Sequence, residues 1–391
     1  MRILHLTPTY IPAYSHGGPI TSVHYLNKWL VKKGVDVVVY TTNINGKETL
    51  DVPLGKEVDI EGVKVFYFPS SFPRSWEYSR ALYKNLKENI KNFDLIHITS
   101  VFLAASKLGS EYAVRAKKPF IISPRGSLMK DPVGIKSPIK KQLYLSLVEK
   151  KNLKNADAIH FTASQEEEEY KEQNLPLKKS VIIPNGMDLE NKERNLRPNM
   201  FQEKYNIPDD KKIILFLSRI DWKKGLDTLI PAFREVTKKR NDVVLVIAGN
   251  DDGYQKKAER LIKKHKIKEQ VIFTGFIKGD EKYAALRESS IFVLPSYSEN
   301  FAMSAVEAMA EELPVIITKG VGIWNEVKNA AAGKVIEKDK KKLIEAITQM
   351  LDNEEEAKSM GRRGKDLVES TFNMEAIADR WIEAYKGLIC P

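Results

Sequence analysis

The sequence predicts an α/β protein of two doubly wound parallel sheets facing each other across a cleft. Three observations predict it. Short β-branched apolar runs alternate with stretches of helical apolar spacing, the order of elements in a parallel sheet covered on both faces. The alternation runs through twice, and residues 191–210, rich in charge, proline and asparagine, read as the linker between the two passes. A chain of 391 residues with 42% apolar content is long enough to bury two cores of ordinary size. The domains predicted are 1–190 and 191–372, with a final helix, 373–391, packing back on the first.

Taken in order, the first strand, 2–6, ends in a loop over 7–19 that is longer than packing requires and contains Gly17-Gly18. The helix predicted over 20–33 carries Val23, Leu26, Trp29 and Leu30 on its buried stripe and stops at Gly34. A nearly continuous apolar strand follows at 35–41. Strands at 63–68, 95–98, 120–123, 158–161 and 181–183, with helices at 78–91 and around 103–115, complete the first half. The acid run 166–169 follows Ser164, with Glu167 three residues on, and reads as a capping box at a solvated helix start. In the second half, strands at 211–217, 243–248, 271–274, 291–294 and 314–318 alternate with helices beginning at Leu226, Gln255, Asp280 and about Ala302. Residues 338–387 are helical in pattern, interrupted near 371–373. Trp381 and Tyr385, four apart, would anchor the last helix on the first half.

Composition excludes several classes. No run approaches the roughly 20 apolar residues of a membrane span, and the first strand leaves no room for a signal peptide, so the expected location is the cytoplasm. The single cysteine, Cys390, supports neither a disulfide framework nor a cysteine metal site. A formal charge of +11 predicts attraction to nucleotides, an anionic membrane surface or nucleic acid without choosing among them. Lys136, Lys140, Lys141, Lys150, Lys151 and Lys154, interleaved with Ile139, Leu143, Leu147 and Val148, read either as a face that docks on anionic lipid at the inner membrane surface or as a solvated helix face.

The stretch that carries chemistry is residues 291–318. A strand, a short polar loop and an alanine-rich helix place Glu299 in the loop and Glu307 about two helical turns on. A helix starting at the carboxyl end of a parallel strand points free amides at an anionic ligand. Two glutamates beside an anion would repel it, so they suit uncharged hydroxyls: a nucleotide sugar, with its diphosphate between two polyols, fits. Taken alone, the pair reads equally as two solvated glutamates. Ser218-Arg219-Ile220-Asp221-Trp222-Lys223-Lys224-Gly225 follows the first strand of the second half, and there Arg219 and Lys224 can meet a leaving pyrophosphate.

These segments resemble the donor site of the family 4 retaining glycosyltransferases. That family has two glutamates flanking seven residues in a "Pro-Ser, x-x, Glu-Gly-Phe-Gly, four residues, Glu-Ala" pattern, and an arginine followed after four intervening residues by lysine-glycine. The resemblance implies the GT-B fold of two Rossmann-like halves. Glu299 would then lie at the transferred sugar, Glu307 at the ribose hydroxyls, and Arg219 and Lys224 on the donor diphosphate, with no metal or other cofactor needed. Asn300 and Ala302, around Phe301, stand where the family has glycines, and Glu312 where it has another; alanine disfavours the positive φ that glycine allows. Gly17 and Gly18 match the family's double-glycine loop near the donor phosphate. Ser123-Pro124-Arg125-Gly126-Ser127 matches a position where many relatives have histidine; Arg125 is too basic for a general base and suits phosphate instead. His97 resembles another family position, or is a hydrogen-bonded strand-end histidine. Pro184-Asn185-Gly186-Met187-Asp188 resembles the family's turn between halves and reads as structural. Gly249 and Ile277, at strand ends, would line the nucleotide pocket.

The reading that follows is a metal-independent, retaining hexosyltransferase-type enzyme. It uses a uridine or guanosine diphosphate sugar and a polysaccharide or lipid-linked acceptor, as in lipopolysaccharide synthesis, with no nucleic-acid partner. A sugar-nucleotide epimerase of the same fold and a non-catalytic polyanion-binding protein with a degenerate donor site are the rivals.

Overall fold

The computed structural model describes residues 1–14, 18–129, 138–190 and 195–390. The chain divides into two compact units, Met1–Asp188 with Asn373–Pro391, and Leu189–Phe372.

In the first unit the strands are β1 (Arg2–Leu6), β2 (Asp36–Thr42), β3 (Ile44–Asn45), β4 (Glu48–Thr49), β5 (Glu57–Ile60), β6 (Val63–Phe68), β7 (Leu95–Thr99), β8 (Phe120–Ser123), β9 (Ala158–Phe161) and β10 (Ser180–Ile182). Eight of them form one sheet in the order β10-β9-β8-β7-β1-β2-β6-β5, while β3 and β4 pair as a separate antiparallel ribbon. All pairs in the large sheet are parallel except the edge pair β5 and β6. The central strands are buried along almost their whole length because helices cover both faces. Strand order reverses between β1 and β7, and ligands of such sheets bind outside the carboxyl ends at that reversal.

The second unit holds β11 (Lys212–Leu217), β12 (Val243–Ala248), β13 (Val271–Gly275), β14 (Ile291–Leu294), β15 (Val315–Thr318) and β16 (Gly333–Ile336), all parallel in the order β13-β12-β11-β14-β15-β16. Its reversal lies between β11 and β14.

The last helix, Met374–Ile389, belongs to the first unit. Asn373 and Met187 form a parallel bridge, and Met374 donates its N–H to the Met187 carbonyl at 3.1 Å. Trp381 packs on His97 and His160, with ring centroids 4.8 and 4.5 Å away, and the Tyr385 hydroxyl is 2.7 Å from His97 Nδ1. His5 stacks on His97 at 4.2 Å, so strand histidines and helix aromatics form one buried layer.

Several expectations change. The helix read from Ile20 begins at Gly18. Strands β5 and β16 escaped the sequence pattern because both are half-exposed edges with short apolar runs. The span read as linker contains a helix, Met200–Lys204, whose first amides are capped by the distant Glu288 carboxylate, 3.0 Å from Phe201 N and 2.8 Å from Gln202 N. Gly17 and Lys136 lie outside the described residues.

Candidate active site

In the second unit the loops leaving β11 and β14 rise side by side at the strand reversal. After β11 the chain makes a single helical turn, Trp222–Lys224, whose cap is Asp221, accepting from Lys223 N at 2.9 Å. Gly225 closes the turn at φ +79°, and a Cβ there would stand 2.0 Å from the Pro295 carbonyl oxygen, so only glycine lets the two loops touch. Tyr297 N–H then donates to the Lys223 carbonyl at 2.7 Å. A third loop, after β15, locks Glu299 from behind. Glu299 N–H donates to Gly320 O at 2.7 Å, and Gly322 N–H donates to Glu299 O at 2.8 Å.

This packing brings the buried Lys224 ammonium onto the half-buried Glu299 carboxylate. Burial, and next the neighbouring Arg219 charge, pull the Lys224 ammonium below its ordinary value, while the Asp221 and Asp252 carboxylates work the other way. Arg219 is exposed and pairs with Asp252 at 2.5 Å. Arg219, Lys224 and Glu299, spread over 80 positions of chain numbering, are thus one cluster, in which Glu299 is paired with Lys224 and Asp252 with Arg219.

Glu307 lies on the helix Met303–Ala310 and pairs with Lys282, on the helix Gly279–Glu288, at 2.9 Å. Each of the two glutamates read as facing hydroxyls is paired with a lysine, Glu299 with Lys224 and Glu307 with Lys282. Lys282 carried no signal in the sequence, because only packing brings its helix beside the second glutamate. Of the residues standing where glycines were expected, Ala302 (φ +66°) and Glu312 (φ +59°) are left-handed all the same, and Asn300 is not. The loop therefore keeps the backbone turn that a glycine would give at Ala302.

Other expected pocket residues take different roles. The Phe301 and Ile277 side chains are buried, and Phe301 meets Phe372 edge-on at 5.5 Å, so these side chains serve the core and leave only backbone for a ligand. Gly249 seats the end of β12 against the Ser218 carbonyl, where a Cβ would be 1.9 Å away.

In the first unit Gly18 is the first residue of helix Gly18–Lys32. Arg125, at φ +54°, is hydrogen-bonded to Asn185 Oδ1, and its Nε is buried without a partner. Burial pulls this guanidinium down to about 10, against the nearby Glu166 charge. Glu166 corrects the capping-box reading: Ser164 lies inside the helix and Ala163 precedes it without a side-chain cap. The Glu166 carboxylate is buried and accepts from Gly126 N at 2.5 Å and Thr162 N at 2.8 Å, bracing the Arg125 turn. Its position in a run of acids concealed this. His97 is a hydrogen-bonded strand histidine, 2.7 Å from both Tyr385 OH and Ser123 Oγ. Burial holds it well below its ordinary pKa, the His5 and His160 rings adding to the effect.

Comparison with known proteins adds a family. The profile described as "Glycosyltransferase Family 4" matches residues 16–191, and that described as "Glycosyl transferases group 1" matches residues 199–367. An uncharacterized glycosyltransferase of Methanocaldococcus jannaschii is 25% identical, covering 99% of this chain and 98% of its own. Alpha-monoglucosyldiacylglycerol synthase of Streptococcus pneumoniae is 28% identical over 81% of this chain and 70% of its own. Among solved structures, sucrose-phosphate synthase from Thermosynechococcus elongatus superposes with a TM-score of 0.77 at 23% identity, covering 99% of each chain. Anabaena HepE in complex with UDP and glucose gives a TM-score of 0.78 at 17% identity, covering 99% of this chain and 100% of that one.

Proposed function

The chain belongs to the family 4 glycosyltransferases and has their GT-B fold, and on that premise we propose that it transfers a sugar from a uridine or guanosine diphosphate sugar to a glycan or lipid-linked acceptor. The transfer retains anomeric configuration and runs without a metal ion. The product is a cell-surface polysaccharide or glycolipid, the work named for several relatives: a glucosyldiacylglycerol synthase, an O-antigen glycosyltransferase and a capsular glycosyltransferase. The enzyme works in the cytoplasm, with a peripheral contact at the inner membrane face.

The observation that supports this reading best is the Arg219, Lys224 and Glu299 cluster at the strand reversal of the second unit. As the bond from the sugar's anomeric carbon to the diphosphate breaks, negative charge grows on the leaving phosphate. Lys224 and Arg219 are the cations that meet that charge once Glu299 and Asp252 release them. The acceptor hydroxyl bonds to the anomeric carbon on the same face and gives its proton to the departing phosphate oxygen. Glu299 then turns from Lys224 to a hydroxyl of the transferred sugar. Glu307 takes the ribose hydroxyls, and the amides at the start of helix Met303–Ala310 face the diphosphate.

A thermal-shift panel with uridine, guanosine and adenosine diphosphates and their sugar conjugates tests this. One nucleotide is expected to raise the melting temperature, and Glu307→Ala and Arg219→Ala each to reduce the shift. No shift with any nucleotide would overturn the donor-site assignment.

A further inference from the structure

The first unit presents an apolar row to the outside. The helix Pro138–Tyr144 continues through a π-helical stretch, Leu145–Glu149, into the helix Lys150–Asn155. Its inward face holds Leu145, Glu149, Asn152 and Leu153. The Glu149 carboxylate accepts from Phe102 N at 2.7 Å, Ser106 Oγ at 2.6 Å and Asn152 Nδ2 at 3.0 Å, which fixes the rotation of the segment. A π turn inserts one residue into the helical phase, so anchoring Glu149 inward sets where the aliphatic side chains before it point. Ile139, Leu143 and Leu147, on successive turns, are 83%, 59% and 70% exposed.

Two further features accompany the row. Phe72, 93% exposed, lies four residues before Trp76, whose Nε1 donates to Tyr144 OH at 3.3 Å. Lys140, Lys150, Lys151 and Lys154 are exposed, and the only acid between residues 138 and 155 is the buried Glu149. Single exposed apolar residues are ordinary, but a row of three on successive turns is a docking feature. The exposed charges of this segment are all cationic.

The geometry points to a membrane-docking surface, with Ile139, Leu143, Leu147 and Phe72 entering the headgroup boundary and the four lysines meeting anionic headgroups. Charge complementarity selects an anionic bilayer: every exposed charge on the segment is positive, whereas a lipid surface of phosphatidylglycerol type is uniformly negative. Long lysine stems allow the ammonium groups to stay in the headgroup layer while the aliphatic row sits deeper. No helix among the described residues is long and apolar enough to cross a membrane, so the contact lies on the bilayer. The proposal deepens the reading of a lipid-linked acceptor and rests on it for purpose, although the binding is measured without donor or acceptor.

Co-sedimentation of the full chain with vesicles of phosphatidylglycerol and phosphatidylcholine in equal parts, and of phosphatidylcholine alone, tests it. The chain is expected to sediment with the anionic vesicles only. The triple variant Ile139→Ser, Leu143→Ser, Leu147→Ser should lower partitioning by about tenfold or more, and Lys150→Glu, Lys151→Glu, Lys154→Glu should abolish the preference for phosphatidylglycerol. A control, Lys256→Glu, Lys263→Glu, Lys264→Glu, removes exposed lysines from a helix of the second unit and should leave binding unchanged. All three variants change exposed side chains, and unchanged melting curves check that they fold. The proposal is overturned if the parent chain ignores anionic vesicles, if the serine variant binds like the parent, or if the control loses as much binding as the lysine variant. It is also overturned if the lipid-free chain self-associates and the serine variant does not, which would give the face to a second copy. The nucleotide thermal shift should survive in every variant, so failure here is distinct from failure of the donor site.

Discussion

Ala302 adopts φ +66° and ψ +65° at the start of helix Met303–Ala310, a conformation that costs a non-glycine residue about 1–2 kcal/mol. The helix holds it there, because Ala305 N–H donates to the Ala302 carbonyl at 2.9 Å. Ala302→Gly should relieve the strain but lose some of it to glycine's greater unfolded-state freedom, leaving a net gain of about 0.5–1 kcal/mol. A urea melt of the variant beside the parent checks this, and loss of stability would show that the site is unstrained. The absence of a glycine was legible in the sequence; that the backbone would keep the glycine's conformation was not. Glu312 behaves the same way, at φ +59°, with Gly361 so close that a Cβ there would be 1.9 Å from the Glu312 carbonyl oxygen. The helix it begins sets the angle at Ala302, and a neighbour remote in the chain crowds Glu312.

Between elements, the central fact is the seating of one loop on another at Gly225. Gly225→Ala adds a side chain at φ +79° against the Pro295 carbonyl, and backbone cannot step aside as a side-chain tip would. The expected cost is about 2 kcal/mol or more, with loss of the nucleotide-induced thermal shift as Lys224 and Glu299 part. A variant of parental stability and undiminished shift would mean that the seating does not hold the pair. Arg219, Lys224, Glu299 and Glu307 were all legible, since each lies in a short pattern at a strand end. Lys282 and Glu166 were not, because each acts across an interval that no local pattern spans: Lys282 on Glu307 from another helix, Glu166 on Gly126 from 40 residues away. Phe301 was legible as a loop residue, but the direction of its ring depended on Phe372.

At the scale of the whole molecule, the buried histidine layer ties the first unit's stability to pH. Burial holds His5 down to about 3 and His97 and His160 well below their ordinary 6.5. Below 6.5 the unfolded chain therefore binds protons that the folded layer refuses, so stability is present above that value and is lost as pH falls. Each of these histidines contributes a loss of up to about 1.4 kcal/mol per pH unit in that range. The second unit's one histidine, His265, is the last residue of helix Gln255–His265 and belongs to no such layer. Calorimetric scans on either side of pH 6.5 should show the first unit's transition falling further than the second's. Equal shifts in both would remove the histidine layer as the cause. The same layer packs on Trp381 and Tyr385, so this transition should include the last helix.

By itself the sequence determined the alternation of strands and helices, the division into two passes and the charged residues placed at strand ends. These follow from hydrophobic period and turn chemistry, which act over a few residues. Tertiary structure alone decided that Lys224 meets Glu299, that Lys282 meets Glu307, that Glu166 is a buried brace and that Ile139, Leu143 and Leu147 face outward. Those outcomes depend on which distant backbone amides, carbonyls and side chains arrive at the same place. The amphipathic pattern of the lysine-rich helix was visible, but its rotation was not, because Glu149 is fixed by Phe102 and Ser106 on a different part of the chain.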